Sequence, residues 1–459
     1  MIQQFVDRDV ELEYLNSIYE EKRAEFIIIY GRRRIGKTEL IKEFIKGKRS
    51  IYVLLTKYSM KDNIDYLKHK FAELTGKDYF LNLDTDSLFE LFKYFTEEIK
   101  HEKVVIVFDE YPYLIELNRG IGSMFQKIWD ELLQHTNTFL ILCGSSIEMM
   151  ETEVLAYKSP LYGRRTGELN LGSFGIGELK KMFPGLNNER LVEILAVFGG
   201  TPFYLAQVDQ NSSLIENIKN NILRKNQILY NEPLYLLKEE FREPKVYASI
   251  LKNMSLGYNT HGKLQNAMEM DKGNLSAYLQ SLENTRIIEY TLPLGQRKRG
   301  IYYIKDPFFN FWFRFVYPSL SDLELGLVEE VADKIEKNLN TYIGLIFETL
   351  AFDMIRKKEL KISMQFQELK RWWHKDREID MLALNENGKE LGVFEIKWRD
   401  LSEHELDEIV SALRDKARLV EWHNDSRTER FGVIAKKVDN NIKQKFKKEN
   451  ILIYDLEDL

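Results

Sequence analysis

Residues 26–38 decide the fold of this chain and read FIIIYGRRRIGKT. The five apolar and aromatic residues 26–30 predict a buried β-strand. The next eight fit the pattern G-x-x-x-x-G-K-[ST], whose glycines let the backbone wrap around phosphates while amides at a helix N-terminus donate to them. A strand before the motif and a helix after it predict a phosphate-binding loop. Its candidate nucleotide-binding residues are Gly31, Arg34, Ile35, Gly36, Lys37, Thr38 and Glu39.

A second apolar run, residues 104–108, is followed directly by two acids, Asp109 and Glu110. In this pattern Asp109 reaches the magnesium shell, together with the Thr38 hydroxyl, and Lys37 pairs with the β- and γ-phosphates. Glu110 is then the base or the water-orienting residue for attack on the γ-phosphate. ATP and Mg²⁺ are therefore the predicted cofactors. A further strand, 139–143, ends before Ser145, which fits either a sensor position near the γ-phosphate or a plain turn.

The first 150 residues alternate strands with helices, which predicts an α/β fold with a parallel sheet covered on both faces. Strands are predicted at 26–30, 51–55, 104–108 and 139–143, and helices at 37–45, 62–74, 87–99 and 121–134. Beyond them we predict a helical region, a three-helix segment with a hairpin, and a final α/β region. The predicted domains are a P-loop ATPase core at 1–172, a helical lid at 173–240, a winged helix at 241–305 and a nuclease-like domain at 306–459.

Composition excludes several classes of protein. The 459 residues are 44% hydrophobic and 30% charged, a balance typical of a globular protein with several cores. No apolar stretch approaches the roughly 20 residues that cross a bilayer, the N-terminus lacks a signal pattern, and there is one cysteine, Cys143. We therefore expect a cytoplasmic protein with no membrane partner. Since the net charge is −6, any DNA contact is expected on one face only.

Several motifs spread over some 200 residues resemble the archaeal-type ATPases of the STAND class, a branch of the AAA+-related P-loop NTPases. The matching pieces are residues 5–12, the loop 31–38, Asp109-Glu110, Gly144-Ser145-Ser146, residues 161–165 and residues 199–205. The resemblance implies that the N-terminal box and the Pro202 loop lie near adenine. It also implies that Arg164 or Arg165 acts as an arginine sensor.

Residues 245–305 read helix, helix, helix, hairpin and resemble a winged helix-turn-helix. The third helix exposes Ser276, Gln280 and Asn284, and the hairpin tip carries Arg297, Lys298 and Arg299. A basic wing tip suits contacts with DNA phosphates. Because related ATPases also use such modules as internal packing domains, DNA binding and internal packing both stay open.

The C-terminal region pairs an acid on one strand, at 377–382, with Glu395 and Lys397 on the next, at 392–398. The two-residue period of a strand puts Glu395 and Lys397 on one face, where Asp380 meets them across the hairpin. This constellation is that of PD-(D/E)XK nucleases: carboxylates bind Mg²⁺, and the lysine orients water or steadies phosphorane charge. Glu348, in a helical segment upstream, is the candidate further acid. The alternative is a structural Glu–Lys pair.

Residues 306–318 and this hairpin also resemble the uncharacterised, nuclease-like domain that follows archaeal-type ATPase modules. We therefore predict catalytic roles for Glu110, Asp380, Glu395 and Lys397. The predicted metal ligands are Thr38, Asp109, Glu348, Asp380 and Glu395. The favoured function is an ATP-driven switch coupled to a Mg²⁺-dependent nuclease. The alternatives are a nucleotide-controlled DNA-binding regulator and an assembly scaffold, and the oligomeric state stays open.

Overall fold

The computed structural model describes residues 6–100, 102–296 and 298–459, and the chain divides into two compact units, Met1–Ser173 and Phe174–Leu459. The first unit is built on a five-stranded parallel sheet in the order β2-β3-β4-β1-β5. Its strands are β1 (Glu25–Tyr30), β2 (Ser50–Leu54), β3 (Val105–Asp109), β4 (Phe139–Gly144) and β5 (Gly167–Asn170). Its helices are α1 (Asp9–Tyr19), α2 (Lys37–Ile45), α3 (Met60–Thr75), α4 (Leu88–Ile99), α5 (Pro112–Leu117), α6 (Ile121–Glu131) and α7 (Ile147–Met149).

The central strand β1 explains the layered arrangement. All six of its residues are buried. Phe26 and Ile28 pack in one apolar cluster, whereas Ile27 and Ile29 pack in another. Because successive side chains of a strand point to opposite faces, this sheet is covered on both sides, and the predicted α/β layer is confirmed.

The second unit starts with helices and a hairpin. The helices are α8 (Ile176–Met182), α9 (Asn188–Phe198), α10 (Pro202–Leu205), α11 (Leu214–Ile218), α12 (Glu232–Glu240), α13 (Pro244–Ser255), α14 (His261–Met268) and α15 (Lys272–Asn284). Strands β6 (Ile288–Thr291) and β7 (Ile301–Ile304) follow as an antiparallel pair. Helices α13–α15 and this pair are called the hairpin module below. Apart from Ser173, the three regions predicted beyond residue 172 lie within the second unit, which begins at Phe174.

A mixed sheet closes the second unit, in the order β12-β11-β10-β9-β8. The elements from the hairpin module onward are α16 (Pro307–Phe311), α17 (Leu320–Glu324), α18 (Val328–Arg356), β8 (Glu368–His374), β9 (Arg377–Asn385), β10 (Glu390–Leu401), α19 (Glu403–Ala417), β11 (Thr428–Val438), α20 (Asn440–Lys448) and β12 (Leu452–Tyr454). Strands β8, β9 and β10 pair antiparallel, whereas β10, β11 and β12 pair in parallel. Helix α19 makes the crossover between β10 and β11.

The long helix α18 joins the helical part of the second unit to its sheet. Near its middle, the Tyr342 hydroxyl donates to the carbonyl oxygens of Ala196 (3.1 Å) and Pro307 (3.0 Å). Its C-terminal half packs on β10, where the rings of Phe347 and Trp398 lie 5.0 Å apart. Across the described part of the chain, no helix is both long and apolar enough to cross a membrane.

Candidate functional site

The connection between β1 and α2 forms a loop that only glycine can complete at two points. Gly31 has φ +153°, and a Cβ there would lie 2.6 Å from the Leu171 carbonyl oxygen. Gly36 has φ +94° and directly precedes the first residue of α2, Lys37. Both backbone conformations are strained for residues with a Cβ. The sequence pattern therefore corresponds to a real loop geometry, with amides at the start of α2.

Lys37 lies at the centre of this loop. It is buried, and its ammonium donates to the carbonyl oxygens of Gly31 (2.9 Å) and Arg32 (3.0 Å). Burial lowers the pKa of Lys37, whereas the nearby carboxylates of Asp109 and Glu110 act in the opposite direction. The loop thus holds a poorly solvated cation next to its amides, which is the chemistry that binds the phosphates of a nucleotide.

Asp109 gathers three donors at the end of β3. Its Oδ2 accepts from Thr38 Oγ1 at 2.8 Å and from the Tyr52 hydroxyl, and its Oδ1 accepts from the Glu110 amide at 3.0 Å. The hydroxyl of Thr38 and the carboxylate of Asp109 are the hard oxygen donors that Mg²⁺ prefers, so these residues fit the ion. Sequence reasoning missed Tyr52, because its position on the edge strand β2 becomes meaningful only once β2 pairs with β3.

Glu110 is held in a defined position after β3. Its φ is +58°, which is uncommon for a residue with a side chain, and its Oε2 accepts from Ser145 Oγ (2.7 Å) and from the Ser145 amide (3.4 Å). The candidate base and the candidate sensor residue are therefore in direct contact. A strained conformation at such a place is typical of a functional constraint.

Three other loop candidates occupy different environments. Ile35 is buried, Arg34 has φ +65°, and Glu39 is exposed and pairs with Lys42 at 2.9 Å. From the N-terminal box, the Arg8 side chain donates to the carbonyl oxygens of Ile35 (3.1 Å) and Gly172 (2.6 Å). These hydrogen bonds hold the N-terminal box against the phosphate-binding loop. Phe5, its first residue, lies outside the described residues.

The two candidate arginine sensors are engaged in ion pairs. Arg164 makes a two-pronged contact with Asp130, Nε to Oδ1 at 3.0 Å and Nη2 to Oδ2 at 2.9 Å. Arg165 pairs with Glu168 at 2.9 Å. A sensor role for either residue stays a prediction and would require leaving these partners. Pro202 is the first residue of α10 in the second unit, and its predicted role near adenine also stays a prediction.

In the second unit, β9 and β10 bring three predicted residues together. Met381 faces Phe394 in the antiparallel register, which puts Asp380 and Glu395 on adjacent strands. Lys397 Nζ lies 2.7 Å from Glu395 Oε1 and 3.4 Å from Asp380 Oδ2. Asp380 is buried, and its Oδ2 also accepts from the Ile396 amide at 2.8 Å. These side chains form the carboxylate site.

Two cations that sequence reasoning missed complete the charge balance of the carboxylate site. Lys416, from α19, lies 3.1 Å from Glu395 Oε2. Arg371, from β8, lies 3.0 Å from Oε2 of Glu348, the predicted further acid on α18. No local pattern marks either cation, since each reaches the site through tertiary packing.

Burial and neighbouring acids perturb the carboxyl of Asp380 in the carboxylate site. Burial, followed by the charges of Glu395 and Glu348, raises the pKa of Asp380 to about 6, against the opposing effect of Lys397. Nevertheless, within the described residues no group of three or more His, Cys, Asp and Glu side chains is arranged to hold a metal ion. Lys397, Lys416 and Arg371 hold the carboxylates instead. The carboxylate site therefore contains oxygen atoms that could bind a metal ion, but lysine and arginine side chains of the same unit bind them in this structure.

The hairpin module contacts the C-terminal sheet through its loop. The Leu294 amide donates to the Arg371 carbonyl oxygen at 3.2 Å, and the Leu294 side chain packs on an apolar cluster that contains Trp372. At the predicted wing tip, Lys298 and Arg299 are exposed, whereas Arg297 lies outside the described residues. The Leu294 side of the β6–β7 loop thus packs on the C-terminal sheet within the second unit.

Helix α15, the third helix of the predicted winged helix, uses part of its exposed polar surface in local contacts. Ser276 Oγ lies 3.0 Å from His261 Nε2, and Gln280 Nε2 donates to Asn284 Oδ1 at 3.0 Å. Neither bond reaches beyond α14 and α15 themselves. DNA binding by the predicted winged helix stays a prediction.

Two parts of the chain match known families. Residues 5–208 match an ATPase domain found predominantly in Archaea. Residues 312–409 match DUF234, a family of archaeal and bacterial proteins of unknown function. The phosphate-binding loop, Asp109 and Glu110 lie in the first match, so the protein is an ATPase that binds and uses ATP. The carboxylate-site residues Asp380, Glu395 and Lys397 lie in the second match.

Several proteins resemble the chain over much of its length. The Walker-type ATPase of Pyrococcus abyssi has a TM-score of 0.49 at 22% identity, with 67% of this chain and 96% of that one covered. The ORC2 protein of Aeropyrum pernix, in ADPNP–ADP complexes, has a TM-score of 0.43 at 12% identity over 73% and 96% of the two chains. The uncharacterized protein MJECL04 of Methanocaldococcus jannaschii is 36% identical over 461 residues, which are 99% of each chain. This chain, an ATPase domain joined to a DUF234 domain, therefore belongs to the same family as the M. jannaschii protein.

Proposed function

We propose that this ATPase is a nucleotide-controlled switch of the STAND class whose C-terminal domain cleaves phosphodiester bonds in DNA with the help of Mg²⁺. The observation that carries the proposal is the convergence of Asp380, Glu395 and Lys397, with Lys397 Nζ 2.7 Å and 3.4 Å from the two carboxylates. Charged groups are rarely placed in an otherwise apolar strand without a purpose, because each must be paired or neutralised. In the structure Lys397 and Lys416 pair with Glu395, and a metal ion together with a phosphodiester would take the place of these partners.

In the ATPase domain, each residue has a separable role. Lys37 and the amides at the start of α2 bind the phosphates and orient the γ-phosphate. Thr38 and Asp109 would hold Mg²⁺, which neutralises charge on the β- and γ-phosphates when bound. Glu110 would orient the attacking water and accept its proton, and Ser145 holds the Glu110 carboxylate until it does so.

In the carboxylate site, Asp380 and Glu395 would hold Mg²⁺, which polarises the phosphodiester oxygen when bound. Two protein carboxylates suffice, because Mg²⁺ usually keeps several waters. Lys397 would then be released from Glu395 to orient water or to stabilise charge on the phosphate. Glu348, from α18, would position the metal waters. The mixed sheet flanked by α18 and α19 supports the likeness to PD-(D/E)XK nucleases.

The internal cations make the carboxylate site responsive to its surroundings. Since Lys416 and Arg371 neutralise Glu395 and Glu348, a metal ion has to compete with them. Two carboxylates without a compensating cation would repel each other. We infer that a change in the position of α19 or β8 regulates how readily the metal enters.

A nucleotide-controlled DNA-binding regulator is the second candidate function. It is favoured by the exposed Lys298 and Arg299 at the tip of the hairpin module, which a phosphate backbone could reach. The packing of Leu294 on the C-terminal sheet favours instead a hairpin module that carries domain motion to the carboxylate site. If the protein is a nucleotide-controlled nuclease, the predicted winged helix therefore transmits the nucleotide state of the ATPase domain to the carboxylate site.

A cleavage assay with a stability control tests the nuclease assignment. The full-length protein is incubated with Mg²⁺ and labelled single- and double-stranded DNA and RNA, with and without ATP. We expect DNA cleavage that Asp380→Asn and Lys397→Ala each abolish while ATP hydrolysis stays intact, and that Lys361→Ala, an exposed control, leaves unchanged. If the pair is structural, Lys397→Ala instead lowers the melting temperature, because it leaves a buried carboxylate uncompensated. Cleavage at the wild-type rate by a folded Lys397→Ala variant rejects its catalytic role.

A further inference from the structure

A cavity of about 320 Å³ lies beside the carboxylate site in the second unit. Strands β6 and β7 of the hairpin module form one wall, the C-terminal part of α18 forms another, and β8 closes it. Its volume lies at the lower end of the roughly 300–1,000 Å³ range of small-molecule sites. The cavity is therefore large enough for one small ligand and too small for a folded partner.

Four cations line this cavity, and none of them is held by a short ion pair inside it. Lys305 lies 3.4 Å from Glu289, and Arg356 lies 3.9 Å from Asp353. Lys370 and Arg371 reach out to acids that do not line the cavity, Glu368 at 3.3 Å and Glu348 at 3.0 Å. Charge-assisted hydrogen bonds are typically about 2.7–2.9 Å, so Lys305, Lys370 and Arg356, whose ion pairs are longer, retain capacity for a stronger acceptor. A phosphate group is such an acceptor.

The remaining lining is suited to the rest of a nucleotide. Tyr290 and Tyr303 offer aromatic surface for a planar base, whereas the guanidinium groups of Arg356 (5.6 Å) and Arg371 (5.2 Å) already lie over the Phe352 ring. Glu289 and Asp353 offer carboxylate oxygens to ribose hydroxyls or to N–H groups of the base.

We infer that this cavity binds a nucleoside monophosphate, with its phosphate on Lys305, Lys370 and Arg371 and its base against the aromatic side chains. This site is separate from the P-loop and does not depend on the nuclease assignment. Because Arg371 also holds Glu348, a ligand that recruits its guanidinium loosens one internal ion pair of the carboxylate site.

Calorimetric titration of the full-length protein tests the inference. Lys37→Ala removes the competing P-loop, and AMP, GMP, CMP, UMP and inorganic phosphate are titrated in turn into this variant. We expect one-to-one binding of at least one monophosphate and much weaker binding of inorganic phosphate. Adding Lys305→Ala or Lys370→Ala to this background should raise its Kd about tenfold or more, the effect of losing one charged hydrogen bond. Lys361→Ala, exposed and outside the cavity lining, should leave the Kd unchanged.

Two results would overturn the inference. The first is no binding of any monophosphate up to about millimolar concentration, which is the weak end of specific recognition. The second is binding that Lys305→Ala and Lys370→Ala leave unchanged in proteins with the parental melting temperature.

Discussion

The roles of Lys37 and Glu110 are separable by single substitutions. Lys37→Ala removes the buried ammonium of the loop and should abolish nucleotide binding. Glu110→Gln keeps the side chain near Ser145 but removes the base, so it should retain binding and lose turnover by roughly 10²- to 10⁴-fold. Titration with a fluorescent ATP analogue and phosphate-release assays measure the two effects. Equal ATP affinity of the wild type and Lys37→Ala would contradict the assignment.

The buried carboxyl of Asp380 predicts a pH dependence of stability. Its pKa in the folded protein is about 6, above the ordinary value of 3.8. The protonated form is therefore favoured by folding, and its stabilising contribution is full below about pH 4 and is lost as the pH rises through about 6. The free energy of unfolding of the wild type minus that of Asp380→Asn should fall by on the order of 2–3 kcal/mol across this window.

Denaturant titrations in EDTA, followed by tryptophan fluorescence, measure this difference. Five of the six tryptophans belong to the second unit, so the signal reports mainly on its unfolding. A difference that is flat or rises with pH would show that Asp380 is not shifted upward in the folded protein.

The hairpin module makes its own prediction about DNA. Replacing Arg297, Lys298 and Arg299 with alanine removes three candidate phosphate contacts. If the module binds DNA through its tip, the log–log slope of affinity against salt should flatten by roughly 3. Fluorescence anisotropy at several salt concentrations measures this slope. An unchanged slope and affinity would leave the module with its packing role, through Leu294.

Strands and helices with strong local signals could be predicted from the sequence. The apolar run of β1, the glycine pattern of the loop and the acids after β3 predict the nucleotide site, and helix α2 has the predicted bounds Lys37–Ile45. Strand β5 was missed because its four residues, GELN, alternate between partly buried and exposed and carry little apolar signal. A short edge strand of this kind is stabilised by pairing with β1 rather than by its own composition.

Residues that act through tertiary contacts could not be predicted. Tyr52 reaches Asp109 from a neighbouring strand, and Lys416 reaches Glu395 from a helix 21 positions along the chain. The period of two in β10 predicted the face shared by Glu395 and Lys397, because that relation is local. Which cations neutralise the acids depends on the packing of α19 and β8, which no local pattern specifies.

The protein as a whole has two candidate sites, which lie in separate compact units. The nucleotide site lies in Met1–Ser173 and the carboxylate site in Phe174–Leu459. The acidic net charge of −6 is consistent with DNA contact restricted to a basic patch rather than spread over the surface. Coupling between the two sites is therefore the property that defines a nucleotide-controlled nuclease.

The rate of Mg²⁺-dependent DNA cleavage, measured with ATP, with ADP and without nucleotide, tests this coupling. In the Glu110→Gln variant, ATP stays bound without turnover, so its cleavage rate should differ from the nucleotide-free rate by about 5- to 150-fold, the usual range of allosteric coupling. Lys37→Ala should cleave at one rate under all three conditions. Equal rates for Glu110→Gln with and without ATP, or no cleavage by the wild type under any condition, would contradict the nucleotide-controlled nuclease.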